Sequence, residues 1–148
     1  MYYENMNWKD IKEKILFSYL GCDWISVDVI DLSFFELLNY INSNKQLKKN
    51  KNGVYFTKVS GIKIHLYEND NHHFDFDPKE IDSEIKWNLF LNFFIELSSI
   101  MNKKIIFRPE DSNKDENQYY LVLVHPNKKV EYFENAINNY ADPNIENR

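Results

Sequence analysis

Trp87-Asn88-Leu89-Phe90-Leu91-Asn92-Phe93-Phe94-Ile95-Glu96-Leu97-Ser98-Ser99-Ile100-Met101 is the most apolar stretch of the chain, and its reading decides the fold. Asn88, Asn92, Glu96 and Ser99 recur at helical spacing and form one narrow polar stripe, while most other positions of the second half are apolar. A helix apolar around so much of its circumference is expected to be covered on more than one side. The same polar residues, and a length below the ~20 residues that cross a bilayer, argue against a membrane span. Upstream, Asp77 fits an N-cap, Pro78 the first helical position and Glu80 the capping-box position, with Phe76 and Ile81 as a staple. The spacing therefore predicts a central helix over 78–101.

Working outward, Lys104-Ile105-Ile106-Phe107 reads as a strand and Arg108 to Asn117 as a polar loop. Tyr119 to Val124 and Lys129 to Phe133 make a hairpin around Pro126-Asn127. Upstream, Val54 to Val59, Ile62 to Tyr67 and His72 to Asp77 are strand-like, separated by Ser60-Gly61 and Asn69-Asp70-Asn71. A second helix, over 33–48, opens with a Ser33–Glu36 capping box stapled by Leu32 and Leu37. Its end frays into the lysine-rich loop 42–52. Trp24 to Ile30 alternates as a strand, and Trp8, Ile11, Ile15 and Tyr19 predict a first helix over 8–20, ended by Gly21. The expectation is a single α+β domain over 1–148, with a weakly structured tail at 134–148 holding one short turn near Ala136-Ile137. Its sheet has about five mostly antiparallel strands, packed by the long helix 78–101 and two further helices.

Composition narrows the function. The 148 residues are 43% hydrophobic and 16% aromatic, ample for a core, so whole-chain disorder is excluded. With 18 basic and 23 acidic side chains the net charge is −5, which argues against general nucleic-acid binding. Cys22 has no partner for an internal disulfide, and the first residues lack a positive region followed by an apolar run. These features lead us to expect a cytoplasmic protein.

No sequence here carries an established catalytic motif. Cys22 follows a helix end, the wrong end for lowering a thiol pKa. The most inviting cluster is His65, His72, His73, Asp75 and Asp77. Alternation puts Leu66 opposite Phe74, which sets His65 against Asp75 and Lys63 against Asp77 on the other sheet face. A metal site needs three or four converging ligands, whereas cross-strand charge pairing accounts for the same residues at ~0.2–1 kcal/mol per pair. We expect no metal and no cofactor. A metal-dependent hydrolase using His65, His73 and Asp75 stays as an alternative.

Charge is unevenly placed. Between Glu68 and Glu84 lie seven acids and one base, so that window carries −6 and the rest of the chain +1. Acids near a helix N-terminus are favoured by the dipole, which covers Asp77, Glu80 and Asp82 but not Glu68 or Asp70. The loop with Glu110, Asp111, Asp115 and Glu116 is a second acidic surface. Either suits a basic partner.

The segment from Trp87 through Ile105-Ile106-Phe107-Arg108-Pro109-Glu110-Asp111 to Tyr119-Tyr120-Leu121-Val122 resembles small bacterial immunity proteins of polymorphic toxin systems. The likeness covers about 87–133. It rests on a long helix feeding a short strand that ends in x-Pro-Glu, followed by a tyrosine-containing strand. It implies a non-enzymatic inhibitor that occludes a cognate protein toxin, with no catalytic residues to carry over. If the toxin is a nuclease with a basic groove, the expected contacts are Tyr67, Glu68, Asp70, His73 and Asp75, then Glu110, Asp111, Asp115 and Glu116. No nucleic acid and no membrane are expected as partners. A third reading is a phage or mobile-element assembly subunit, in which the aromatic surplus would serve a homodimer or larger interface.

Overall fold

The computed structural model describes residues 4–17, 24–68, 73–110 and 120–133. Among them eight strands form one antiparallel sheet, more than the five expected. In chain order these are β1 (Ile25–Val29), β2 (Lys48–Lys49), β3 (Tyr55–Val59), β4 (Ile62–Leu66), β5 (Phe74–Phe76), β6 (Ile105–Pro109), β7 (Val122–Val124) and β8 (Val130–Tyr132). The spatial order is β2-β3-β4-β5-β1-β6-β7-β8. Every strand-like run of the sequence pairs in this sheet. The addition is β2, which falls in the loop expected at 42–52.

The sheet is two meanders joined through an N-terminal strand. β5 and β6 each run antiparallel to β1, so they are parallel to each other and need a crossover. The crossover is α3 (Glu84–Met101). It puts Phe90 4.6 Å from Phe76, and Phe94 5.7 Å from Phe74 and 5.2 Å from Phe107, thereby touching strands on both sides of β1. These tilted and edge-on ring contacts fit the quadrupole preference of stacked aromatics.

α3 is shorter than the sequence suggests. Pro78–Glu80 forms a separate 3-10 turn capped by Asp77, and the helix starts only after Ser83, whose hydroxyl accepts the Lys86 N–H. Glu80 does not complete a capping box; its carboxylate accepts the Lys63 N–H at 3.3 Å. Nor is the helix covered all round. Trp87, Phe90, Leu91, Phe94 and Leu97 are buried, while Ile85, Leu89 and Ile100 are 54–72% exposed. Asn102 at φ 54° ends it, a left-handed position that asparagine tolerates.

α2 (Phe34–Asn44) has the expected capping box: the Glu36 N–H reaches Ser33 Oγ, and Glu36 reaches back to the Ser33 N–H. It ends at Asn44 rather than residue 48, because the chain turns extended at Lys45 towards β2. α1 (Trp8–Asp10) continues as a wider π turn, Ile11–Leu16. The end expected at 20, Gly21 and Cys22 lie outside the described residues, as do the tail 134–148 and its turn near Ala136-Ile137. Between β3 and β4, Ser60 (φ 54°) and Gly61 (φ 83°) are both left-handed, as a two-residue type I′ hairpin turn requires.

Buried side chains of all three helical segments join one cluster with Ile25, Val27, Val29, Ile62, Ile64, Phe74, Phe76 and Phe107. That is the first face of the sheet. Ile106, although buried on the opposite face, does not belong to the cluster. Among the described residues no helix is long and apolar enough to cross a membrane.

Candidate partner-binding site

Of the expected site residues, Tyr67 and Asp75 lie on the second face, with His65 between them. Register alone places them there. Phe56 pairs with His65, His65 with Asp75, Asp75 with Ser26, and Ser26 with Arg108, a continuous row across β3, β4, β5, β1 and β6. Neighbouring strands lie ~4.8 Å apart, so such a row is a compact strip.

The expected His65–Asp75 pair is present, with Nδ1 and Oδ1 3.2 Å apart. The second expected pair, Lys63 with Asp77, does not form. Asp77 accepts the Lys79 N–H, and the Lys63 ammonium sits 4.7 Å over the Phe56 ring. Around His65 the face is aromatic: Trp24 lies 5.6 Å and Tyr67 6.4 Å from its ring, both half-buried. Glu68 follows, exposed. His73 is held differently. Its Nδ1 accepts the Val29 N–H at 3.0 Å, so that nitrogen carries no proton, and its own N–H donates to Val27 O. His73 thus extends the β1–β5 ladder by a side chain. Glu110 follows the end of β6, half-buried. Asp70, Asp111, Asp115 and Glu116 lie outside the described residues.

Sequence reasoning did not find the charged centre of this face. Arg108 Nε donates to Asp28 Oδ2 at 2.8 Å, and the two side chains are 0% and 3% exposed. Ser26 is also fully buried, and Ser26 Oγ and Asp28 Oδ1 have no hydrogen-bond partner among the described residues. A signal existed: alternation in β1 sets Ser26 and Asp28 on one side, and alternation in β6 sets Arg108 opposite Phe107. Towards β8, His125 Nε2 meets Glu131 Oε1 at 2.7 Å, and Lys129 links Glu131 to Glu4.

Among the described residues no group of three or more His, Cys, Asp or Glu side chains converges as a metal site. The phenols with shifted acidity belong to the helix side. Burial pushes Tyr132 up, opposed by the nearby Trp87 indole, which makes no well-formed hydrogen bond. Burial, then the Glu96 charge, pushes Tyr40 up. Compared with protein-family models, with curated proteins and with solved structures, the chain matches none.

Proposed function

We propose that this protein is an immunity protein, a cytoplasmic, non-enzymatic module that neutralises a cognate bacterial toxin by occluding it. The carrying observation is the half-buried aromatic–histidine group Trp24, His65 and Tyr67 on the second sheet face, beside exposed Glu68. Such a group supplies an apolar anchor with a charged rim, the division of labour found in tight protein interfaces. The order α3, β6 ending at Pro109 with Glu110 after it, and β7 is consistent with the helix–strand–strand order on which the resemblance to immunity proteins rests.

The test is co-expression with the product of the adjacent reading frame, scored by growth and by binding kinetics. Wild-type protein should restore growth. Tyr67→Ala should raise the off-rate at a cost of ~2 kcal/mol in affinity. Glu68→Lys with Asp70→Lys should slow association steeply at low salt and leave folding intact. Absence of protection and binding by wild type overturns the immunity reading. Wild-type behaviour of both variants moves the surface to the 110–116 loop. One observation favours the assembly reading instead: Ile85, Leu89 and Ile100 of α3 are exposed large apolar side chains. Concentration-dependent self-association lost in Leu89→Lys would support it.

A further inference from the structure

We propose that the sheet edge formed by β2, β3 and β4 binds single-stranded nucleic acid through lysines set around the Phe56 ring. This does not rest on the immunity reading. The net charge of −5 conceals a sharp segregation. Between Leu37 and Tyr67 there are six lysines and no Asp or Glu, so this stretch carries +6 and the remainder of the chain −11. The fold gathers those lysines at one end of the sheet. None of the six is in an ion pair among the described residues.

Their arrangement is costly for folding alone. Lys58 stands directly opposite Lys63 across β3 and β4, and like charges so placed are destabilising. Lysine is common on exposed edge strands, where it discourages aggregation. That explanation suits Lys48 and Lys49 on β2. It reaches Lys58 as well, because β2 pairs only with Tyr55 and Phe56, but not Lys63, whose strand lies between β3 and β5. Lys48 pairs opposite Phe56, so Lys48, Phe56, Lys58 and Lys63 share the second face. An open groove there is lined by Lys45, Gln46, Lys48, Phe56, Thr57 and Lys58.

The aromatic component selects the ligand. On this face the Lys63 ammonium stands 4.7 Å over Phe56, while Lys49 stands 4.7 Å over Tyr55 on the first face, where Tyr55 packs against the core. Phe56 therefore sits beneath a cation that a phosphate would draw off, which would free its π face for a base. Stacking on aromatics within a positively charged groove is how single strands are held without sequence readout. An acidic peptide would use the charges but gain nothing from the ring. A duplex would meet the acidic remainder of the chain.

The experiment is fluorescence anisotropy with a labelled oligothymidylate of about 12 nucleotides. Four lysines engaged predict a log–log salt slope of about −2 to −3, at roughly −0.7 per phosphate. Lys58→Glu should weaken binding at least tenfold and flatten the slope. Because it places a carboxylate opposite Lys63, it should leave the protein at least as stable as wild type. Phe56→Ala should weaken binding about tenfold with the slope unchanged, the mark of stacking rather than charge. Lys103→Glu with Lys104→Glu, outside the groove, should stay within about twofold. No binding at low salt, equal loss in the outside variant, or displacement by an equal concentration of polyglutamate would each overturn the proposal.

Discussion

The two faces of this sheet reach burial by opposite means. On the first, Phe74, Phe76 and Phe107 receive Phe90 and Phe94 of α3, and every contact is apolar. On the second, Ser26, Asp28 and Arg108 are equally hidden, but their polar atoms require partners of defined geometry. An apolar face tolerates imprecision, since dispersion and water exclusion are non-directional. A polar face does not, because a buried group without its partner bears a desolvation cost of several kcal/mol for an ion. Stability should therefore be spread over many side chains on the first face and concentrated in a few pairs on the second.

The largest effect is expected on the first face. Phe94→Ala removes the ring that touches Phe74, Phe90, Phe93 and Phe107 together. It should cost about 4 kcal/mol in urea denaturation, combining lost transfer energy and the cavity left behind. A loss below ~1 kcal/mol would mean that α3 does not anchor the sheet.

Next comes the buried pair. Asp28→Ala should cost about 3 kcal/mol because Arg108 loses its buried carboxylate. Replacing both residues, as Asp28→Leu with Arg108→Met, should recover most of that loss, since desolvation offsets the attraction in a buried ion pair. This sharpens the comparison. If the double variant is as unstable as the single one, Arg108 is held by its other contacts, and the second face is a network rather than a pair.

The same contrast explains what could be read from the sequence. The first face follows from alternation within single strands and from the cap at Ser33, both local features. The His65–Asp75 pair was legible too, because ten residues separate its members and the apolar register of one hairpin fixes it. Asp28 and Arg108 are 80 residues apart, and they meet only because β1 inserts between β5 and β6. No local pattern encodes that strand order. The extra strand β2 escaped for a different reason. A two-residue lysine strand has neither alternation nor apolar content, and it exists because β3 offers a free edge. The start of α3 escaped because two capping signals compete, at Asp77 and at Ser83, and the first closes only a 3-10 turn.

The smallest effect separates structural pairing from chemistry on the second face. If His65 and Asp75 are only cross-strand neighbours, a double-mutant cycle with His65→Ala and Asp75→Ala should give a coupling of ~0.2–1 kcal/mol. The pair is 18% and 12% exposed, less sheltered than Arg108 and Asp28, so solvent screens it more. A coupling above ~2 kcal/mol would place His65 and Asp75 in the same class as the buried ion pair. That result would make the second face a single cooperative polar layer, and it would revive the hydrolase alternative. A small coupling would leave His65 as an aromatic platform between Trp24 and Tyr67, with Asp75 fixing its ring. In that case Tyr67→Ala and His65→Ala should both weaken partner binding while His65→Phe retains it, because the anchor is the ring surface and not the proton.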